Sequence, residues 1–161
     1  MGIRQTTPMG EIDRQIDEQL ERKKRVLIRM LHVAGEKAVN EARAANSQQR
    51  GSYTDRTGNL RSSIGYVVVV DGKVYNGKGV SFEVVEGEKN QRGTQGAKDG
   101  KAFANQLADK FPTGIALIVV AGMKYAHYVQ KLGFDVTISA EHLADKLLFQ
   151  LGMPKTKRIE E

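Results

Sequence analysis

Three histidines, His32, His127 and His142, are the side chains of this 161-residue chain that titrate near neutrality without help from their surroundings. A hydrolytic triad would need one of them beside a serine and an acid. No G-x-S-x-G elbow is present to present that serine. The chain has no Cys, which excludes thiol catalysis, disulfides and cysteine-held zinc. No H-E-x-x-H pattern or histidine pair at helical spacing offers a metal site, and no alternating acidic loop fits calcium. The histidines therefore read as packing or surface residues. No catalytic, cofactor or metal ligand is assigned, and no small-molecule substrate is expected.

A phosphate-binding loop is nearly matched by Gly72, Gly77 and Lys78, but Gly79 stands where Ser or Thr must hold magnesium. The residues that follow, 80–85, alternate like a strand, whereas such a loop opens a helix. The basic residues remain. Arg22, Lys23, Lys24 and Arg25 form one run, with Arg29 a turn further on, and Lys89, Arg92 and Lys98 form a second group. These side chains are candidate contacts for DNA or for a neighbouring subunit. Their charge would meet phosphate without reading sequence. Asp17, Glu18 and Glu21 beside the first group, and Glu86, Glu88 and Asp99 beside the second, offset much of the formal charge of +6.

The elements that must position these residues follow from periodicity. Hydrophobic residues are 40 % and charged residues 27 %, as in a globular chain, and one domain spans 1–161. Residues 1–10 read as a loose leader broken by Pro8 and Gly10. Across 11–45, Ile12, Ile16, Leu20, Leu27, Leu31, Ala34, Ala38 and Ala42 recur at helical spacing. Such a helix approaches 50 Å, against a radius of gyration of about 15 Å for a domain of this size. Either it breaks near Gly35 or its first half projects and exposes Ile12, Ile16 and Leu20 to a partner. Residues 46–151 form the sheet-and-helix body. Within it are a short helix at 59–64, a strand at 66–70 buried on both faces, a turn at Asp71-Gly72, and strands at 73–75 and 80–85. The glycine-rich stretch 86–100 predicts a mobile loop. A helix at 101–111, a central strand at 115–121, a short helix at 123–132, a strand at 134–138 and a helix at 140–151 capped by Ser139 complete the body. Residues 152–161 form a charged tail. The fold class is α+β, a long N-terminal helix and two or three further helices on a small, mostly antiparallel sheet. No apolar stretch suits an export signal or a membrane span, so a cytosolic chain that meets no membrane is expected.

Two segments carry a resemblance. The first reads Tyr53-Thr54-Asp55-Arg56-Thr57-Gly58-Asn59-Leu60-Arg61-Ser62-Ser63-Ile64. The second reads Tyr125-Ala126-His127-Tyr128-Val129-Gln130, followed by Gly133. An R-T-G-x-L-R-x-S-I stretch after a long helix and a Y-A-x-Y-V stretch after an apolar strand resemble the neck and tail-completion proteins of long-tailed bacteriophages and prophages. The resemblance runs over about 11–151. It implies a non-enzymatic virion protein of the head–tail connector, assembled as a ring between the portal or adaptor and the tail tube. DNA would pass through that ring, and the protein would lie in the virion neck after assembly in the host cytoplasm. It also implies structural roles for the motif. Thr57 and Gly58 would turn into the short helix, Leu60 and Ile64 would anchor it, and Arg61 would pair with an acidic group. Tyr125 and Val129 would pack one helix face, and Gly133 would close that helix. The alternative is a basic protein that binds nucleic acid without sequence preference.

Overall fold

The computed structural model describes residues 8–48, 54–75, 82–155, 157 and 159. Eight elements follow in order: α1 (Met9–Gln48), α2 (Asn59–Ser63), β1 (Ile64–Val70), β2 (Lys73–Val74), α3 (Thr94–Ala108), β3 (Ile115–Ala121), α4 (Ala126–Lys131) and α5 (Ile138–Gln150). The sheet is antiparallel with the order β2-β1-β3, so the architecture is α+β. β1 and β3 pair along their whole length, from Ile64 opposite Ala121 to Val70 opposite Ile115.

The unbroken apolar run of β1 is explained by cover on both faces. Side chains alternate across a strand. Tyr66 and Val68 join the core formed with Ile28, Leu31, Ala38, Val39 and Ala42 of α1 and Ala140, Ala144 and Leu148 of α5. Val67 and Val69 point the other way, onto Ala104, Leu107 and Ala108 of α3. The layers are thus α1 with α5, the sheet, and α3. β3, expected at the centre, is an edge strand of this order and only partly buried. Its apolarity serves the same two layers, Leu117 and Val119 on the α1 side and Ile118 and Val120 on the α3 side.

The hairpin between β1 and β2 turns at Asp71 (φ 49°) and Gly72 (φ 78°), both left-handed, as a tight two-residue turn requires. Asp71 also clasps the start of β3. Its N–H donates to the Gly114 carbonyl at 2.8 Å, and its Oδ1 accepts from the Gly114 N–H at 2.9 Å. That N–H, with Lys24 Nζ at 3.5 Å, holds the Asp71 carboxyl below its ordinary range.

α1 is continuous for 40 residues, starting before and ending after the expected 11–45, and Gly10 lies inside it. It does not break at Gly35. The missing side chain there is filled by a neighbour: a Cβ at Gly35 would stand 2.5 Å from Tyr66 Cδ2 and 2.9 Å from Leu117 Cδ1. The glycine admits a buried tyrosine against the helix, and the helix hydrogen bonds run on through it.

Other expectations are corrected. The strand at 134–138 is absent: Val136 is buried, and the Asp135 carboxylate accepts from the N–H groups of Ile138 at 2.9 Å and Ser139 at 3.2 Å. It thereby starts α5 two residues earlier than a Ser139 cap would, and the Ser139 hydroxyl donates to the same carboxylate. Residues 82–85 form no ladder, and the first part of that expected strand, Val80 and Ser81, lies outside the described residues, as do residues 1–7 of the leader and residues 76–79 of the near-match to a phosphate loop. Residues 86–100 are not a mobile loop throughout, because α3 begins at Thr94.

Gly35→Ala sets two effects against each other. Alanine gains about 1 kcal/mol of helix propensity, and overpacking against Tyr66 costs about 1–3 kcal/mol. Urea denaturation is expected to show net destabilisation. Gly10→Ala, whose Cβ would meet nothing within 4 Å, is expected to be neutral or slightly stabilising.

Candidate assembly surface

Two features could act on other molecules: a backbone clasp built by the motif residues, and apolar side chains left uncovered on α1, α4 and α5.

The clasp begins at Gly58, whose left-handed backbone (φ 73°) turns the chain into α2. Its N-terminal neighbour Thr57 accepts weakly from the Asn59 N–H at 3.4 Å through Oγ1. Leu60 and Ile64 are fully buried, one on α2 and the other opening β1. Between them Arg61 makes three bonds. Its Nε and its backbone N–H both donate to Asp55 Oδ2, at 3.1 and 3.2 Å, and its Nη2 donates to the Glu86 carbonyl at 2.9 Å. The Asp55 side chain is only 5 % exposed, so this ion pair is shielded on its acidic side. Ser62 grips the neighbouring strand-like segment, accepting from the Val85 N–H at 2.7 Å.

The second wall of the clasp is the glycine-rich stretch, and glycine is what lets it close. A Cβ at Gly58 would strike the Val85 carbonyl, one at Gly93 the Gly58 carbonyl, and one at Gly96 the Asn59 carbonyl. Backbones meet where side chains would stand. Gly93 N–H donates to Val85 O at 3.0 Å, Gly96 N–H to Asn59 Oδ1 at 3.1 Å, and Lys89 N–H to Arg56 O at 3.0 Å. Lack of large side chains in 86–100 is therefore a packing device. The G-x-x-G-x-x-x-G spacing of Gly93, just before α3, with Gly96 and Gly100 on the face of α3 that meets α2, is the available signal, and reading glycines only as breakers misses it.

The second motif segment stands within electrostatic reach of the first. Burial raises the phenol of Tyr125 above its ordinary value, and the Asp55 carboxylate adds to that rise. Tyr125 precedes α4 and is 42 % exposed, so it does not pack in the interior beside Val129, which is partly buried against the core. Gly133 (φ 89°) follows the helix, its N–H donating to the Gln130 carbonyl at 3.0 Å.

The basic residues separate into two places. Arg22, Lys23, Lys24 and Arg25 lie along α1, with Lys24 partly covered beside Asp71. Lys89 and Arg92 stand on the clasp turn and Lys98 on α3, all exposed. The histidines lie on different elements, His32 on α1 against the rings of Tyr66 and Tyr75, His127 on α4 and His142 on α5. Among the described residues no group of three His, Asp or Glu side chains is arranged to hold a metal ion, and no helix is long and apolar enough to cross a membrane.

The uncovered apolar surface is extensive. On α1, Met9, Ile16, Leu20, Val26, Met30 and Val33 are exposed, and none of residues 9–23 is buried. Tyr128 (64 %) on α4, Leu132 (57 %) just after it and Phe149 (77 %) on α5 are exposed. Two shallow furrows lie on α1, one lined by Ile12, Gln15, Ile16, Gln19, Leu20 and Lys23. Such a shape suits a partner's side chains better than a small ligand. No protein-family model, curated protein or solved structure matches the chain.

Arg61→Leu strands the buried Asp55 carboxylate and is expected to cost roughly 2–4 kcal/mol. The double variant with Asp55→Asn is expected to recover part of that loss, because the stranded charge is then gone. Equilibrium urea unfolding of Arg61→Leu, Asp55→Asn, the double variant and the parent measures both.

Proposed function

We propose that this chain is a non-enzymatic structural component of a phage or prophage neck, a head–tail connector or tail-completion protein that works as part of a ring. The observation that carries this reading is the uncovered apolar surface on α1 and on α4 with α5. Large side chains exposed on several elements mark surfaces for association. A subunit with more than one such surface can bind neighbours on different sides, as a closed ring requires. The resemblance of the 53–64 and 125–133 segments to the neck family supports the same reading, and the clasp built by the first of them would keep a subunit's shape fixed while its outer faces are engaged. Partners in this reading are other copies of the chain, the portal or adaptor, and the tail-tube protein. DNA would pass by as a charged neighbour and not as a sequence that is read.

The alternative of a general nucleic-acid binder draws on exposed Arg22, Lys23 and Arg25. It is weakened by Asp13, Asp17, Glu18 and Glu21, which share the same furrow with Arg22 and Arg25. Native mass spectrometry of the chain with phage portal and tail-tube proteins is expected to show a multi-copy complex. Failure to bind any of them overturns the neck reading. DNA binding that weakens steeply with salt, without such a complex, favours the alternative.

A further inference from the structure

α1 carries two apolar patterns, and the body uses only one. Ile28, Leu31, Ala38, Val39 and Ala42 face the sheet. A second pattern is Met9, Ile12, Ile16, Gln19, Lys23, Val26, Met30 and Val33, spaced alternately three and four residues apart. None of these eight is buried, and Met9, Ile16, Val26, Met30 and Val33 are among the exposed large apolar side chains. Spacing of 3.5 residues is the repeat of a coiled-coil seam, and this one runs for roughly 36 Å.

We infer that the seam pairs with the same seam of a second copy, antiparallel, about a two-fold axis beside residue 21. The choice of a second copy and of its direction rests on three features of the chain. First, the layers match in reverse. Met9 faces the second copy's Val33, Ile12 its Met30, Ile16 its Val26, and Gln19 its Lys23. Six of the eight seam residues are apolar and meet apolar partners, and the two polar ones meet each other. A polar layer of this kind fixes register, because any slip buries Lys23 against an apolar side chain. Second, charge is segregated along the helix. Glu11, Asp13, Asp17, Glu18 and Glu21 precede the axis with Arg14 as the only base, and Arg22, Lys23, Lys24, Arg25 and Arg29 follow it without an acid up to that point. Antiparallel pairing lays the acidic half on the basic half. Parallel pairing stacks each half on its like and sets Lys23 on Lys23. Third, Leu20 meets its own copy beside the axis and adds apolar area, against one like-charge encounter, Arg22 with Arg22.

This pair does not rest on the neck reading. A two-fold contact cannot by itself close a ring, so a ring would use α4, α5 or another face, and either reading can fail while the other stands.

The test uses the full chain, which has no Cys of its own. Sedimentation equilibrium is expected to show a monomer–dimer equilibrium. An equimolar mixture of the Ile16→Cys and Val26→Cys variants is expected to be joined by a short bis-maleimide. Each variant alone is expected to stay uncrosslinked, since two copies of residue 16 stand about 15 Å apart along an antiparallel pair. Ile16→Glu, at a position exposed in the single chain, is expected to weaken association at least about tenfold, as the two-fold repeats it twice in the seam. Far-UV circular dichroism confirms that the variant keeps its helices. A strict monomer at every soluble concentration overturns the inference. So does Ile16→Cys linking to itself in preference to Val26→Cys, which marks a parallel pair, and so does an oligomer that Ile16→Glu leaves unchanged.

Discussion

Burial of both faces of β1 decides where the helices of this chain go. A strand whose alternate side chains are all apolar must be covered twice, and no other strand in a sheet this small can supply the cover. α1 closes over Tyr66 and Val68, and α3 over Val67 and Val69. Each cover is made of small residues where the approach is closest. Gly35, Ala38 and Ala42 let α1 lie on a strand that carries a tyrosine, and Ala104 and Ala108 let α3 lie on valines. The tyrosine settles the spacing of one layer. Its ring occupies the volume a side chain at Gly35 would take, so helix and sheet are keyed together at that point. Burial also raises the phenol of Tyr66 above its ordinary value, with Glu36 adding to the rise, so ionising it would oppose the packing at alkaline pH.

The clasp solves a different problem. α2 meets the start of α3 and the stretch before it, which are poor in large side chains, and a small apolar area gives little hydrophobic hold. Their contact is made instead by backbone. Glycine at 58, 87, 93 and 96 removes the side chains that would keep the strands of the clasp apart. The exposed amides and carbonyls then satisfy each other, and the Arg61 fork spans the seam from Asp55 to Glu86. Arg43 does the same service on the other side, reaching the Ile64 carbonyl at 2.9 Å and Glu83 at 3.0 Å. Burial lowers the pKa of its guanidinium, and Glu83 works against that cost.

What could be read in the residues depended on which physical force carried the signal. Hydrophobic period marks α1, the doubly buried β1 and the apolar β3, because burial of side chains made those elements. The Asp71-Gly72 turn is legible because positive φ demands such residues. Backbone-to-backbone packing leaves no apolar trace, so the start of α3 in a glycine-rich stretch is legible only in the spacing of its glycines. The alternation of Phe134, Val136 and Ile138 imitates a strand, but the Asp135 carboxylate, three residues before Ile138 opens the helix, takes up its first amides. Strand order is a tertiary property: the apolarity of β3 marks cover on two faces and does not say that both its edges are paired. For the assembly surface, the residues were visible and their state was not, since exposure of Ile16 or Val26 is decided by what the rest of the chain leaves bare.

The exposed half of α1 persists by continuation from the docked half. Nucleating a helix is the costly step, and here the packed residues from Ile28 onward have already taken it. Each further residue toward Met9 needs only to propagate. Arg14 assists by reaching Glu11 and Glu18 at 4.0 and 3.6 Å, and Glu11 sits where the helix dipole favours an acid. Exposed pairs of this kind supply only a few tenths of a kcal/mol each. Covering a side chain such as Ile16 or Leu20 is worth about 1.5–3 kcal/mol. Cover from a second molecule would therefore outweigh these pairs in stabilising this half of the helix. A repeat of 3.5 residues drifts by about 20° per heptad around a straight helix. By Val26, Met30 and Val33 the seam has moved clear of the Ile28 and Leu31 face, so both can be engaged together. One helix thus holds its own sheet on one side and leaves a largely apolar seam from Met9 to Val33 exposed on the other.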